Sequence, residues 1–274
     1  MTKVAVVIPS LYHVDGEYLK LAVESLRATT DWPIYVVTNG TGHKPDLKHI
    51  KGISAHIHTP KQGQCVASNI GAQIVPPDTD YIMVSNSDMF YASGWNKNLR
   101  FDYPCFSPNL IEPTDNAGSA PPFVKAKGGL TLDTFDQGIV DSVTMIETVG
   151  NKGKEEPGFN LPFFIKRDLW NLLGGYDTAF DPWGSNSDTC LQTRINLAGV
   201  TPMRLRDMAV YHFSNKSGTF SSENDAFRMN NFEYFKDKFG FDRDSVEGCD
   251  VWYNKNMLPT DESKIKYKQA KYEA

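Results

Sequence analysis

The sequence predicts an α/β protein with a mixed, mainly parallel sheet flanked by helices, and three observations predict it. The chain opens with a continuous run of β-branched and small apolar residues, Val4 to Ile8, that stops at Pro9-Ser10. Such a run is typical of a strand buried on both faces. A segment with apolar residues at helical spacing follows, and a second buried run comes after it. A β-α-β order of this kind is typical of parallel strands joined by a right-handed crossover.

The first part of the chain continues this alternation up to about residue 90. Strands are predicted over 34–37, 54–58 and 81–84, and helices over 17–28 and 64–74. The turn after the second strand contains Asn39-Gly40. Ligands of a doubly wound sheet bind at the carboxyl ends of its strands, so we expect the site at the ends of these runs.

The second part of the chain shows a weaker pattern. The stretch 114–159 is rich in Gly, Pro and Lys, which predicts an irregular substrate-covering loop or an inserted hairpin. Beyond it, strands are predicted over 163–165 and 208–213, and helices over 167–173, 187–198 and 224–239. We expect one domain with a first half over 1–113 and a second half over 114–240, followed by a C-terminal extension over 241–274.

Composition excludes several classes of protein. With 274 residues, of which 40% are hydrophobic, the chain can bury a large core, and its net charge of −5 with dispersed Lys and Arg argues against nucleic-acid binding. The four cysteines lack C-x-x-C spacing, which favours reduced thiols over a zinc site. We see no signal peptide and no transmembrane segment. We expect a cytoplasmic protein, and leave open peripheral association with a membrane and assembly into a homo-oligomer.

The first cluster with evident chemistry is Asn86-Ser87-Asp88, directly after the predicted strand 81–84. A carboxylate at that position suits a hard cation such as Mg²⁺ or Mn²⁺, which can bridge the two phosphates of a nucleotide diphosphate. The alternative is a turn or helix-cap role for Asp88.

Taken in order, the segments resemble family 2 glycosyltransferases over most of residues 4–240. The resemblance is carried by VAVVIPS, IYVVTNGTG, KQGQCVASNIGAQ, MVSNSDMF, LGGYDTAF, WGSNSDTCLQTR and VYHFS. It implies the GT-A fold and an enzyme, a hexosyl- or deoxyhexosyltransferase of polysaccharide or glycan biosynthesis. Such an enzyme moves a sugar from a nucleotide-sugar donor to a hydroxyl of a glycan, lipid-linked or protein-linked acceptor.

The resemblance also implies residues for the donor and for a metal cofactor, Mn²⁺ or Mg²⁺. Donor-binding positions are Pro9, Tyr12, Thr38, Asn39, Gln62, Gly63, Asn69, Asn86 and Ser87. Two positions depart from the family. Thr38-Asn39 replaces an acidic residue that accepts a hydrogen bond from the base, although an Asn carbonyl can also accept one. Asn86 replaces the first acid of the D-x-D motif, as in the N-x-D form of rhamnosyltransferase-like members.

Asp88 and His212 are the metal ligands that the resemblance implies. His212 lies on a predicted strand, where alternation places it opposite Tyr211 and Phe213. The alternative is an ordinary hydrogen-bonded core histidine. An imidazole nitrogen combined with carboxylate and phosphate oxygens would favour Mn²⁺ over Ca²⁺.

On the acceptor side, the resemblance implies Asp188 as the general base that deprotonates the acceptor hydroxyl. Trp183, Gly184 and Ser187 would bind the acceptor, since an indole stacks on sugar C–H bonds. The alternative is that Ser187 or Asp188 only caps the following helix. One displacement would invert the anomeric carbon, and a retaining reaction stays open.

Two other functions compete with this hypothesis. A sugar-nucleotide pyrophosphorylase would need a Gly-rich, basic loop after the first strand, whereas PSLYHVDGEY has one Gly and no Lys or Arg. The second is a non-catalytic carbohydrate- or nucleotide-binding protein derived from a transferase. The altered residues Thr38, Asn39 and Asn86 are its signs.

Overall fold

The computed structural model describes residues 2–40, 42–115, 123–214, 216 and 221–240, so the predicted C-terminal extension lies outside the described residues. The strands are β1 Val4–Ser10, β2 Ile34–Asn39, β3 Ala55–Thr59, β4 Tyr81–Val84, β5 Met89–Phe90, β6 Cys105–Pro113, β7 Val124–Ala126, β8 Glu155–Pro157, β9 Phe163–Lys166 and β10 Met203–His212. The α-helices are α1 Tyr12–Thr29, α2 Gln64–Ile74, α3 Gln137–Gly150, α4 Arg167–Leu173, α5 Ser187–Leu197 and α6 Asp225–Phe239. Short 3-10 turns lie at Leu132–Thr134, Thr178–Phe180 and Ser222–Asn224.

All ten strands belong to one sheet, with the order β3-β2-β1-β4-β9-β6-β10-β5. The strands β3, β2, β1 and β4 are parallel, and β10 is parallel to β6. Strand β9 is antiparallel to both β4 and β6, between which it lies. The remaining strands pair at the periphery, β7 with β6, and β5 and β8 with β10. The predicted mixed, mainly parallel α/β sheet is therefore confirmed, and both predicted halves of the chain contribute strands to it.

The burial of the first strands explains why their sequences are continuous apolar runs that predict strands. Every residue of β1 and of β4 is buried. Helix α2 covers β1 so closely that a Cβ atom on Gly71 would lie 2.2 Å from Cγ1 of Val7. Only glycine allows that approach without moving the helix. The sheet and its helices therefore form a rigid support for the loops at the carboxyl ends of β1, β2 and β4.

The prediction of an irregular stretch over 114–159 is wrong for much of its length. Helix α3 occupies Gln137–Gly150, and its N-cap residue Asp136 accepts a hydrogen bond from the backbone N–H of Ile139 at 3.0 Å. The helix packs a buried face of Val140, Thr144 and Thr148 on the sheet. These three residues follow helical spacing, but two of them are threonines. The buried face therefore lacks the apolar periodicity that predicts a helix. Residues 116–122 of the stretch lie outside the described residues.

Strand β6 was not predicted, because its sequence CFSPNLIEP mixes apolar with polar residues and proline. It is nevertheless buried at every position, between β9 and β10. None of the described helices is both long enough and apolar enough to cross a membrane.

Candidate functional site

The pairing of β5 with β10 brings Asp88 and His212 together. His212 is the register partner of Met89, and the backbone N–H of Phe213 donates to the carbonyl oxygen of Asp88 at 3.0 Å. The imidazole Nε2 of His212 lies 3.4 Å from Oδ1 of Asp88, whose residue is only 6% exposed. The two residues that the sequence predicts as metal ligands are thus neighbours at one edge of the sheet.

A third residue, the acid Glu112, completes this group and was missed in the sequence. It lies near the end of β6, where Ile111 pairs with Tyr211 of β10, and its Oε1 accepts a hydrogen bond from Nδ1 of His212 at 3.0 Å. Burial lowers the pKa of His212, but the two carboxylates outweigh burial and raise the pKa to about 10. Burial likewise opposes the charge on Asp88, yet the His212 imidazolium holds the pKa of that carboxyl below its usual range.

These residues fit a divalent cation that also binds a ligand. Among the described residues, no three or more His, Cys, Asp or Glu side chains form a group that could hold a metal ion by themselves. Nε2 and Oδ1 lie 3.4 Å apart, which is close enough for both atoms to contact one ion. Glu112 fixes the imidazole from its other nitrogen, as carboxylates do behind histidine ligands. The remaining ligands would come from phosphate and water oxygens.

Asn86 and Ser87 precede Asp88 in the turn after β4. Asn86 is partly exposed, whereas the buried Ser87 hydroxyl donates to Oδ2 of Asp15 in α1 at 2.5 Å. Lys216 reaches the turn from the other side, since its backbone N–H donates to Oδ2 of Asp88 at 3.3 Å. The turn therefore carries a partly exposed amide, a fixed hydroxyl and a basic residue beside the acid.

A series of contacts through Tyr176 connects Asp188 to the end of β4. The hydroxyl of Tyr176 donates to Oδ1 of Asp188 at 2.7 Å. The Tyr176 ring contacts Phe163, with ring centroids 6.3 Å apart, and Phe163 pairs with Val84, the last residue of β4. Tyr176 was not singled out in the sequence, although it stands in the LGGYDTAF segment.

The helix-cap alternative for Asp188 does not match the start of α5. The N-cap residue is Asn186, with a φ of 66°, and Asp188 is the second residue of the helix. Tyr176 orients the carboxylate through its Oδ1 atom. A carboxylate oriented through one oxygen by a third group is an arrangement found in general bases.

Two predicted donor-binding residues, Thr38 and Asn39, lie at the end of β2. Their side chains contact neighbouring segments of the chain. Asn39 accepts a hydrogen bond from the N–H of Gly63 at 3.0 Å and donates to the carbonyl of Ser10 at 3.0 Å. The Thr38 hydroxyl lies 2.8 Å from Nε2 of His56 and 3.1 Å from Nδ1 of His58. Asn39 therefore joins the ends of β1 and β2 to the start of α2.

The other residues of the first β-α unit lie close to this junction. Pro9 is buried in β1 as the register partner of Val37. Tyr12 begins α1, and its hydroxyl lies 3.4 Å from Nε2 of His49. Gln62 is partly exposed just before Gly63.

Gly63 and Asn69 connect α2 to the acceptor side of the protein. Asp181 accepts hydrogen bonds from the N–H groups of Cys65 and Val66, at 3.1 and 2.9 Å, and a Cβ on Gly63 would lie 2.0 Å from its Cγ. The Asn69 side-chain amide donates through Nδ2 to the carbonyl oxygen of Tyr176 and accepts through Oδ1 from its backbone N–H, each at 2.8 Å. The glycine and asparagine of this segment thus have clear packing roles.

The predicted acceptor residues surround the start of α5. Gly184 has a φ of 69°, and the N–H of Ser187 donates to its carbonyl oxygen at 2.9 Å. Trp183 is partly exposed, and Ser187 is buried. Of the three, the indole of Trp183 is therefore the side chain with surface available to a ligand.

Comparison with known proteins shows the fold. No family model matches the chain, and no curated protein matches it. Among solved structures, TarS of S. aureus (residues 1–349) aligns over 98% of this chain and 79% of its own, with 12% identity and a TM-score of 0.54. GalNAc-T7, solved with UDP, GalNAc and Mn²⁺, aligns over 90% of this chain and 58% of its own, with 17% identity and a TM-score of 0.54. TarS with UDP-GlcNAc aligns over 92% of this chain and 78% of its own, with 12% identity and a TM-score of 0.51. The chain has the GT-A fold.

Proposed function

We propose that this protein is a metal-dependent glycosyltransferase that moves a sugar from a nucleotide-sugar donor to an acceptor hydroxyl. The observation that carries the proposal is the pairing of Asp88, which follows β4, with His212 of β10. The hydrogen bond from Tyr176 that orients Asp188 supports it. GT-A neighbours solved with UDP, or with a UDP-sugar, make UDP-sugars the first donors to test.

Asp88 and His212 would hold Mn²⁺ or Mg²⁺ together with the donor diphosphate. When bound, such an ion neutralises charge that develops on the leaving diphosphate. Glu112 keeps the imidazole oriented through Nδ1, which leaves Nε2 directed at Asp88. The backbone N–H of Lys216 adds a hydrogen-bond donor at the same carboxylate. Its ammonium lies over the Tyr18 ring, 5.8 Å from the ring centroid.

Asp188 would act as the general base. The Tyr176 hydroxyl, which donates to Oδ1, would orient the Asp188 carboxylate that takes the acceptor proton. As the proton leaves, the acceptor oxygen bonds to the anomeric carbon, and the bond from that carbon to the diphosphate oxygen breaks. A single displacement of this kind inverts the anomeric configuration. The partly exposed Trp183 would offer its indole to the acceptor sugar.

The first experiment is calorimetric titration of the full chain with UDP, GDP and dTDP, with and without Mn²⁺. We expect one diphosphate to bind in a metal-dependent way and to lose that dependence in Asp88→Ala. Asn86→Ala is the matched control in the same turn, and we expect it to reduce affinity less because it removes no carboxylate. Equal affinity of wild type and Asp88→Ala in Mn²⁺ would contradict the metal site.

The second experiment screens UDP-sugars for slow hydrolysis, which reports the donor without knowledge of the acceptor. Metal-dependent binding with neither hydrolysis nor transfer over long incubation would instead support a binding protein. Once a donor and acceptor are known, NMR of the first-formed product reads the anomeric configuration. Retention there would contradict Asp188 as the base of a single displacement.

A further inference from the structure

A buried carboxylate outside the predicted motifs lies directly behind the Asn86-Ser87-Asp88 turn. Asp15, in the first turn of α1, is only 2% exposed. Its Oδ1 accepts from the Ser10 hydroxyl at 2.6 Å, and its Oδ2 accepts from the N–H of Leu11 at 3.2 Å and from the Ser87 hydroxyl at 2.5 Å. Asp15 therefore connects the end of β1, the start of α1 and the turn that carries Asp88.

The burial of the Asp15 carboxylate costs desolvation free energy. A buried carboxylate is expensive to desolvate and is usually compensated by a cation. Within the described part of the chain, the hydrogen-bond partners of Asp15 are two hydroxyls and one backbone N–H. These donors favour the charged form without neutralising it. The Asp15 carboxyl group is thus held in place by hydrogen bonds, and none of these partners is a cation.

Asp15 also lies within electrostatic reach of Asp88. Burial is the main cause that raises the pKa of Asp15, and the charge of Asp88 raises it further, against the lowering effect of the two serine hydroxyls. Two like charges held near each other repel, and a divalent cation between or beside them relieves that repulsion. The N-x-D turn has a neutral residue at Asn86, where a D-x-D turn would supply the second negative charge.

We propose that Asp15 is a positioning residue of the metal site, which holds the Asp88 turn through Ser87 and supplies from α1 the negative charge that is missing at position 86. This inference rests on the proposed function of Asp88 and His212 as metal ligands. Asp15 itself does not touch the ion. It fixes the backbone next to Asp88 and adds to the potential that attracts a divalent cation.

The test measures Mn²⁺ binding to the full chain by electron paramagnetic resonance of free Mn²⁺, with and without UDP. Asp15→Asn keeps the size of the side chain but removes its charge, and we expect Mn²⁺ affinity to fall by roughly 10-fold or more, the scale of outer-shell effects. Adding Asn86→Asp to Asp15→Asn should recover most of that loss, because the charge returns to the turn. Asp207→Asn, at a second buried aspartate that pairs with Arg100, is the matched control and should leave Mn²⁺ affinity unchanged.

The outcomes separate this inference from the proposed function. Mn²⁺ affinity within twofold of wild type in Asp15→Asn, together with a clear loss in Asp88→Ala, overturns the role of Asp15 alone. Wild-type protein that takes up no Mn²⁺, or Asp88→Ala with unchanged affinity, overturns the metal site and this inference with it. If Asp15→Asn does not fold, Ser87→Ala removes the connecting bond and keeps the charge. We then expect a several-fold loss of affinity, and an unchanged affinity overturns the positioning role.

Discussion

Replacement of Asp188 by Asn separates a general base from a residue that only stabilises the start of α5. Asn keeps the shape of the side chain, and its carbonyl oxygen can still accept the hydrogen bond that Tyr176 donates at 2.7 Å. What is lost is the charge and the ability to take a proton. Turnover should therefore fall by roughly 10²–10⁴-fold.

The expected cost in stability is small and can be estimated from the position of Asp188 in α5. As the second residue of the helix, a negative charge there interacts with the helix dipole by about 0.3–1 kcal/mol. For a chain of this size, that corresponds to a melting temperature lowered by at most about 4 °C. Nucleotide affinity in Mn²⁺ should stay close to wild type, because Asp188 is not assigned to the metal.

Asp168→Asn is the matched control for this experiment. Asp168 is the second residue of α4, so its replacement removes the same kind of dipole interaction on an exposed helix. We expect it to change neither turnover nor nucleotide affinity. The assay measures melting temperature, nucleotide affinity by calorimetry and turnover for both variants. Turnover of Asp188→Asn within a few-fold of wild type would refute the base, and a loss of nucleotide affinity would instead indicate a metal ligand.

The remaining predictions concern the metal site, its supporting acid and the packing of α2. Asp88→Ala should abolish metal-dependent nucleotide binding, and EDTA should weaken binding to wild type but not further in the variant, both read by calorimetry. Glu112→Gln should weaken Mn²⁺ affinity by roughly 10–100-fold, because it weakens the 3.0 Å hydrogen bond that orients His212; unchanged affinity would contradict the supporting role. Gly71→Ala should destabilise the fold by about 1–3 kcal/mol through overpacking, since the added methyl would lie 2.2 Å from Val7; chemical denaturation measures this loss.

Local patterns in the sequence were sufficient for the elements that carry a continuous apolar run or an apolar stripe. Strand β4 and helices α2 and α4 have the predicted bounds, because a continuous apolar run or an apolar stripe closed by Gly174 is a local signal. Asp88, Asp188 and His212 were chosen as candidates from the same kind of local pattern, and their roles stay predictions. Their chemical types and their order along the chain are properties of the sequence alone.

Sequence patterns failed where burial is set by partners distant in the chain. Strand β6 is buried at every position and lies between β9 and β10 in the sheet. Its own sequence contains polar residues and prolines, so it does not predict those neighbours. Glu112 was missed with its strand. Helix α3 was missed because the buried side that packs on the sheet includes Thr144 and Thr148 and does not form an apolar stripe.

Only the tertiary structure decided which side chains form hydrogen bonds with the candidate site residues. Glu112 and His212 are 100 positions apart, and Asp15 and Ser87 are 72 apart, yet each pair is hydrogen-bonded. Parallel strands place their carboxyl ends at one edge whatever the sequence distance between them. A local pattern reports how a segment sits against its immediate neighbours, whereas the orientation of a site residue depends on hydrogen bonds between segments. The sequence therefore determined the fold class and the candidate ligands, and the sheet determined the partners that hold them.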